Sequence, residues 1–145
     1  MAASQDDNLA LNFLGAHAYN VKHNETEAVQ YFRRAAKNGT CDRALNNLGL
    51  CFENGIGECQ QDFITAISYY DKAAKLGYAP AFYNKAHLLF KMARTTDSLF
   101  DRESYMFDCV HSLRLCLDEN DHLMDAHFMM GFLYEKGIQV DKNLS

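Results

Sequence analysis

Residues 44–77, ALNNLGLCFENGIGECQQDFITAISYYDKAAKLG, decide the fold. Leu45, Leu48, Cys51 and Phe52 recur at spacings of three and four, the stripe through which a helix buries one face. Gly55 and Gly57 stop that helix. Asp62 is the N-cap of a second one, because a short side-chain acceptor there satisfies first-turn N–H groups that have no helical partner. Gly77 closes it, since glycine takes the left-handed conformation of a helix C-terminus without penalty. Ala66, Tyr69, Tyr70, Ala73 and Ala74 form its buried side. The stretch therefore predicts a pair of helices joined by a Gly-x-Gly turn and a polar link.

Working outward, the same pair recurs. YFRRAAKNG, ending at Gly39, and YYDKAAKLG, ending at Gly77, match in register: Tyr31 with Tyr69, Phe32 with Tyr70, and Ala35 and Ala36 with Ala73 and Ala74. A third copy follows if Asn120 takes the closing glycine's place in the left-handed conformation, which places Cys109 where Ala28 and Ala66 stand. The first helices align on the small residues Gly15, Gly49, Ala86 and Gly131, each preceded five places earlier by Ala10, Ala44, Ala81 or Ala126. The small residue recurs after 34, 37 and 45 positions, the period of helical-hairpin arrays.

The pattern A-x-x-N-L-G-x-x-F-x-x-G-x-G followed by A-x-x-x-Y-x-K-A-A-x-x-G resembles the Sel-one-like repeat, a relative of the tetratricopeptide repeat. The match is close for 44–77, good for 28–39 and 126–141, and loose for 81–120. The resemblance implies an all-α fold, a right-handed α-solenoid (superhelix) of about three and a half antiparallel helix-turn-helix repeats. The whole chain, 1–145, then forms one repeat domain, with repeats near 8–39, 41–77 and 80–120 and a half repeat over 123–145.

Departures from the reference copy carry their own expectations. Asn24 with Glu27 offers a capping box in a short first link that lacks the Gly-x-Gly turn. The third link holds KMARTTDSLFDR instead, which predicts a first helix running past Lys91 and a loop from about Thr95 to Asp101. Lys85 stands where Leu14, Leu48 and Met130 stand elsewhere. Asp141 occupies the cap position of a further second helix and Ser145 the place of its first small residue, so the array halts within a repeat. The expectation is a fragment of a longer array; otherwise the flank of Phe128, Met129, Met130, Phe132 and Leu133 meets a second copy or a partner, because terminal repeats need a polar outer face.

Composition narrows the function. A formal charge of −5 and a pI near 5.6 disfavour a phosphate-neutralising surface, so no nucleic acid is expected. No run of eighteen apolar residues exists and the first ten residues are too polar for a secretory signal, so a cytoplasmic protein with no membrane contact is expected. Five cysteines without a C-x-x-C pair fit a reducing compartment, and Cys51, Cys109 and Cys116 read as small buried apolar residues. Secreted relatives join the end of a second helix to the next first helix by disulfides, but those positions hold Ala36 and Leu45, then Ala74 and Phe82.

The six histidines, His17, His23, His87, His111, His122 and His127, form no H-E-x-x-H, and no Cys/His set has zinc spacing. There is no S-x-x-K, no G-x-S-x-G and no phosphate-binding glycine loop. No cofactor, no metal and no catalytic set are expected, and a His- or Cys-based hydrolase or metal enzyme is the weakest of three readings.

The leading reading is a non-catalytic adaptor or scaffold that binds a peptide or protein on a concave face lined by first helices. By analogy with tetratricopeptide arrays, the positions three before, two before and one after the small residue face that groove. These are Asn12, Phe13 and Ala16; Asn46, Asn47 and Leu50; Tyr83, Asn84 and His87; and Phe128, Met129 and Phe132. An asparagine amide pairs with both N–H and C=O of an extended peptide, or instead it holds hairpins together through local hydrogen bonds. The set lacks a cluster of basic residues, with Arg43 and Lys85 the nearest, which favours an uncharged or mixed partner. The second reading is self-association into a homo-oligomer through Phe128, Met129 and Phe132.

Overall fold

The computed structural model describes residues 5–120 and 122–136, and within them every regular element is a helix. In order these are α1 (Gln5–Asn20), α2 (Glu25–Ala36), α3 (Asp42–Asn54), α4 (Phe63–Lys75), α5 (Ala79–Thr95), α6 (Leu99–Glu119) and α7 (Met124–Glu135). α1 packs on α2, α3 on α4 and α5 on α6, so each pair is a hairpin. The chain divides into two compact units, one ending at Tyr78 and one starting at Ala79. Asp141 and Ser145 lie outside the described residues.

Local chemistry sets the boundaries in the first unit. Asp62 caps α4, its carboxylate accepting from the Thr65 N–H at 3.1 Å and the Thr65 hydroxyl at 2.8 Å, which holds its pKa below the ordinary value. Asn24 caps α2 by accepting from the Glu27 N–H at 3.0 Å. The capping box is only half formed, because the Asn24 N–H donates to the Ala18 carbonyl at 2.9 Å and Glu27 pairs with Lys22 at 3.4 Å. Gly39 and Gly77 have φ of 73° and 87°, the left-handed closure expected of them.

The core of this unit joins Ala18 of α1, Ala28, Val29 and Phe32 of α2, Leu48 and Cys51 of α3, and Cys59 of the following link. Each hairpin is closed by a ring lying on a glycine. A Cβ at Gly15 would stand 2.6 Å from the Phe32 ring, and one at Gly49 would stand 2.5 Å from the Tyr70 ring. No methyl group fits at either position, which is why the small residue recurs there. Between hairpins, Gly57 adopts φ 61° and its N–H donates to the Glu25 carboxylate at 3.1 Å.

In the second unit the sequence misplaces two boundaries. α5 runs past Lys91 as expected, but the loop is only Thr96–Ser98 and α6 begins at Leu99. Ser98 is the cap, its hydroxyl accepting from the Asp101 N–H at 3.2 Å, while the Arg102 guanidinium donates to the Thr96 carbonyl at 3.1 Å. Asn120 is not left-handed: its φ of −154° is extended, its N–H donates to the Cys116 carbonyl at 2.9 Å, and its side-chain oxygen accepts from the His122 N–H at 3.0 Å. Those two bonds end α6 without the left-handed turn. The core holds Ala86, Leu88 and Leu89 of α5, Cys109, Leu113 and Cys116 of α6, and Ala126 and Leu133 of α7.

Candidate functional site

In the first unit the amides of α1 and α3 meet. Asn47 Nδ2 donates to Asn12 Oδ1 at 2.8 Å, and both residues are half-buried. That bond uses one group of each amide, leaving Asn12 Nδ2 and Asn47 Oδ1 outside it. Phe13, 70% exposed, and half-buried Ala16 flank Asn12 on α1, and half-buried Leu50 follows Asn47 on α3. Asn46 is a different case. It is buried at 5% exposure, one helical step of about 100° from Asn47, and so turns into the unit instead of outward.

The second unit carries the other expected residues on α5. Tyr83 and Asn84 are half-buried and His87 is exposed, with the Tyr83 and His87 rings 6.2 Å apart. Burial, then the negative charge of Asp125, push the Tyr83 hydroxyl pKa up. Lys85 is half-buried. On α7, Phe128 is 79% exposed, and Phe132 is edge-on to Phe90 with ring centroids 6.1 Å apart. Met129, expected on the outward flank, is buried: it falls on the same side of α7 as Ala126 and Leu133, which face the core.

Two polar features escape a reading by pattern alone. Tyr70, fully buried, donates its hydroxyl to the buried Glu53 carboxylate at 2.8 Å, and burial followed by the Glu53 charge drives the Tyr70 pKa upward. Asn8, 2% exposed, donates to Asn38 Oδ1 at 3.1 Å, and the same oxygen accepts from the Thr40 hydroxyl at 2.8 Å. Glu53 lies four residues after Gly49 and Tyr70 lies seven before Gly77, so their register was in the sequence although their contact was not.

All five cysteines are free thiols and buried. Burial pushes Cys109 up to about 12; burial, together with Cys59 and against the opposing charge of Arg33, does the same for Cys51. All six histidines are exposed. Among the described residues, no three His, Cys, Asp or Glu side chains are grouped to hold a metal ion, and no helix is long and apolar enough to cross a membrane.

The model of the Sel1 repeat matches residues 7–40, 42–78 and 125–145, well over half of the chain. The chain belongs to the Sel1 repeat family. Sel1 repeat proteins generally mediate protein–protein interaction. The crystal structure of a Sel1 repeat protein from Oxalobacter formigenes superposes with a TM-score of 0.66 at 24% identity, over 92% of this chain and 50% of that one. That likeness shows the fold, an all-α helical-repeat solenoid. DAP3-binding cell death enhancer 1 of Rattus norvegicus is 39% identical over 70 residues, which is 48% of this chain. The match spans only 13% of the length of that relative.

Proposed function

We propose that this Sel1 repeat protein is a non-catalytic adaptor that takes an extended segment of a partner protein across α1 and α3 of its first unit. The Asn12–Asn47 pair carries the reading. Bonded to each other, the two amides present one donor, Asn12 Nδ2, beside one acceptor, Asn47 Oδ1, the complement of a single backbone peptide group. Holding each other also fixes their rotamers before a ligand arrives, which lowers the entropy lost on binding. Phe13, Ala16 and Leu50 supply apolar surface around that polar pair. The surroundings lack a basic cluster, so the segment is uncharged or mixed. The family's general role in protein–protein interaction and the rat relative, whose name describes it as DAP3-binding, support a protein partner.

The test is a selection of displayed random peptides on the whole protein, followed by binding to an Asn12→Ala/Asn47→Ala variant. Two lost hydrogen bonds of about 1 kcal/mol each predict roughly thirtyfold weaker binding. Selected peptides that bind the variant as tightly as the wild type would remove the amide pair from the site. Thermal unfolding of the variant, followed by circular dichroism, separates loss of binding from loss of fold.

A further inference from the structure

The second helix of the third hairpin begins early. Leu113 of α6 stands in register with Tyr70 of α4 and Phe32 of α2, so Met106 matches Phe63, the first residue of α4. α6 nevertheless starts at Leu99, about two helical turns sooner. Its buried residues, Cys109, Val110, Ser112, Leu113 and Cys116, share one side, and α6 packs on α5 and α7. The opposite side of the added turns carries Phe100, and Phe107 follows seven residues later on the same stripe. These rings are 80% and 57% exposed, and Leu99 beside them is 70% exposed.

Stacking of repeats does not cover this stripe. In the first unit α2 packs on α1 and α3 and a whole hairpin follows it, yet Thr26 and Gln30, the register equivalents of Phe107 and His111, are exposed. The stripe is an outer surface even where the array continues, and α2 fills it with polar residues where α6 places aromatic ones. The charge around the rings has one sign. Rotation of about 100° per residue puts Glu103 on one flank of the stripe and Asp101 and Asp108 on the other. Among the described residues no lysine or arginine pairs with these three carboxylates. Arg102 sits toward the other side of the helix, its guanidinium donating to the Thr96 carbonyl at 3.1 Å.

We propose that the outer stripe of α6, built on Phe100 and Phe107, docks a basic amphipathic helix of a partner protein. Rings two turns apart, about 10 Å along the axis, match the repeat of an amphipathic helix. Lysines or arginines bordering its apolar stripe meet Glu103 on one side and Asp101 and Asp108 on the other. A second copy of the same face would set acid against acid, and the same carboxylates repel an anionic membrane. Residues 1–4 and 137–145, with one lysine and one aspartate between them, supply no basic stripe. The site is on the second unit and stands independently of the α1–α3 surface.

The probe is a fluorescein-labelled basic amphipathic peptide, LKKLAKALKKLAKA, with a twin that carries glutamate for every lysine. Titrated with the full 145-residue chain, the basic peptide should bind and the acidic twin should not. Phe100→Ala/Phe107→Ala protein keeps every charge and, because both rings face solvent, should keep the wild-type melting curve, yet it should bind about tenfold more weakly or worse. Asp101→Asn/Glu103→Gln/Asp108→Asn protein should bind more weakly at low salt and lose most of the salt dependence that the wild type shows. The Asn12→Ala/Asn47→Ala variant should bind as the wild type does, which separates this site from the α1–α3 surface. No binding, equal binding of the two peptides, or undiminished binding after loss of both rings overturns the proposal. So does a chain that sediments as a dimer, or with phosphatidylserine vesicles, and is released by Phe100→Ala/Phe107→Ala, which would give the rings to a second copy or to lipid.

Discussion

Replacing Tyr70 with phenylalanine removes one oxygen atom from the core of the second hairpin and leaves the ring on Gly49 in place. No cavity forms, so the cost comes from Glu53, whose buried carboxylate loses the hydroxyl that donates to it at 2.8 Å. Gln61 does not compensate, because its amide donates to the Glu53 backbone carbonyl at 3.0 Å and not to the carboxylate. A hydrogen bond to a charged group contributes about 1.5–3 kcal/mol, and leaving the charged acceptor buried and unpaired puts Tyr70→Phe at about 2 kcal/mol. For a chain of this length that is roughly an 8 °C drop in Tm. Urea unfolding followed by far-UV circular dichroism measures it, with an unchanged slope showing that only stability moved. Adding Glu53→Leu removes the orphaned charge as well, so the double variant should recover most of the loss. A Tyr70→Phe variant within about 0.5 kcal/mol of wild type, or a double variant less stable than both single ones, would refute the assignment of Glu53 as a dependent buried acceptor.

Three further outcomes follow from the same geometry. Gly49→Ala drives a methyl to 2.5 Å from a ring that cannot yield and should destabilise by about 1–2 kcal/mol, whereas Gly131→Ala meets open space and should stabilise by about 0.5–1 kcal/mol; parallel urea melts of the two decide it. An aromatic disulfide reagent at pH 8 should modify the native thiols far more slowly than the five thiols of the urea-unfolded chain, because burial holds Cys51 and Cys109 near 12 as well as blocking access. Asp62→Ala should lower the midpoint at neutral pH. Because the folded Asp62 carboxyl titrates below its ordinary value, its stabilisation is complete above the usual carboxylate pKa and fades as pH falls through the depressed one, so wild type and variant should converge in strong acid.

What the sequence revealed depended on the range of the force involved. Asp62, Gly39 and Gly77 act within a turn or two of themselves, and their roles were legible because cap chemistry and left-handed closure are local. Ser98 does not stand out in the sequence because a run of Thr95, Thr96, Asp97 and Ser98 offers several caps, and the choice between them falls to bonds made by Asp101 and Arg102. Asn120 failed for the converse reason: two local hydrogen bonds hold it extended, so the register of the third hairpin survives without the expected turn. Candidate site residues were less legible still. Asn46 and Asn47, or Phe128 and Met129, differ by one residue and about 100° of rotation, and only the packing of neighbouring helices says which of each pair is covered. The Glu53–Tyr70 and Asn12–Asn47 bonds join residues in different helices, where periodicity gives a face but not a partner.

The side-chain bonds that stitch the first unit together bear on how fast it forms. Asn8 to Asn38, Gly57 to Glu25, and Asn47 to Asn12 close loops of 30, 32 and 35 residues, about one repeat each. Chains whose tertiary contacts are this local give up little entropy before contacts begin to form, and their folding rates lie toward the microsecond-to-millisecond end of the range. Either hairpin can then serve as the nucleus, with Gly57 and Asn47 zipping the other onto it. A substitution at the Gly57–Glu25 seam should therefore accelerate unfolding more than it slows folding, the signature of a contact completed after the rate-limiting step.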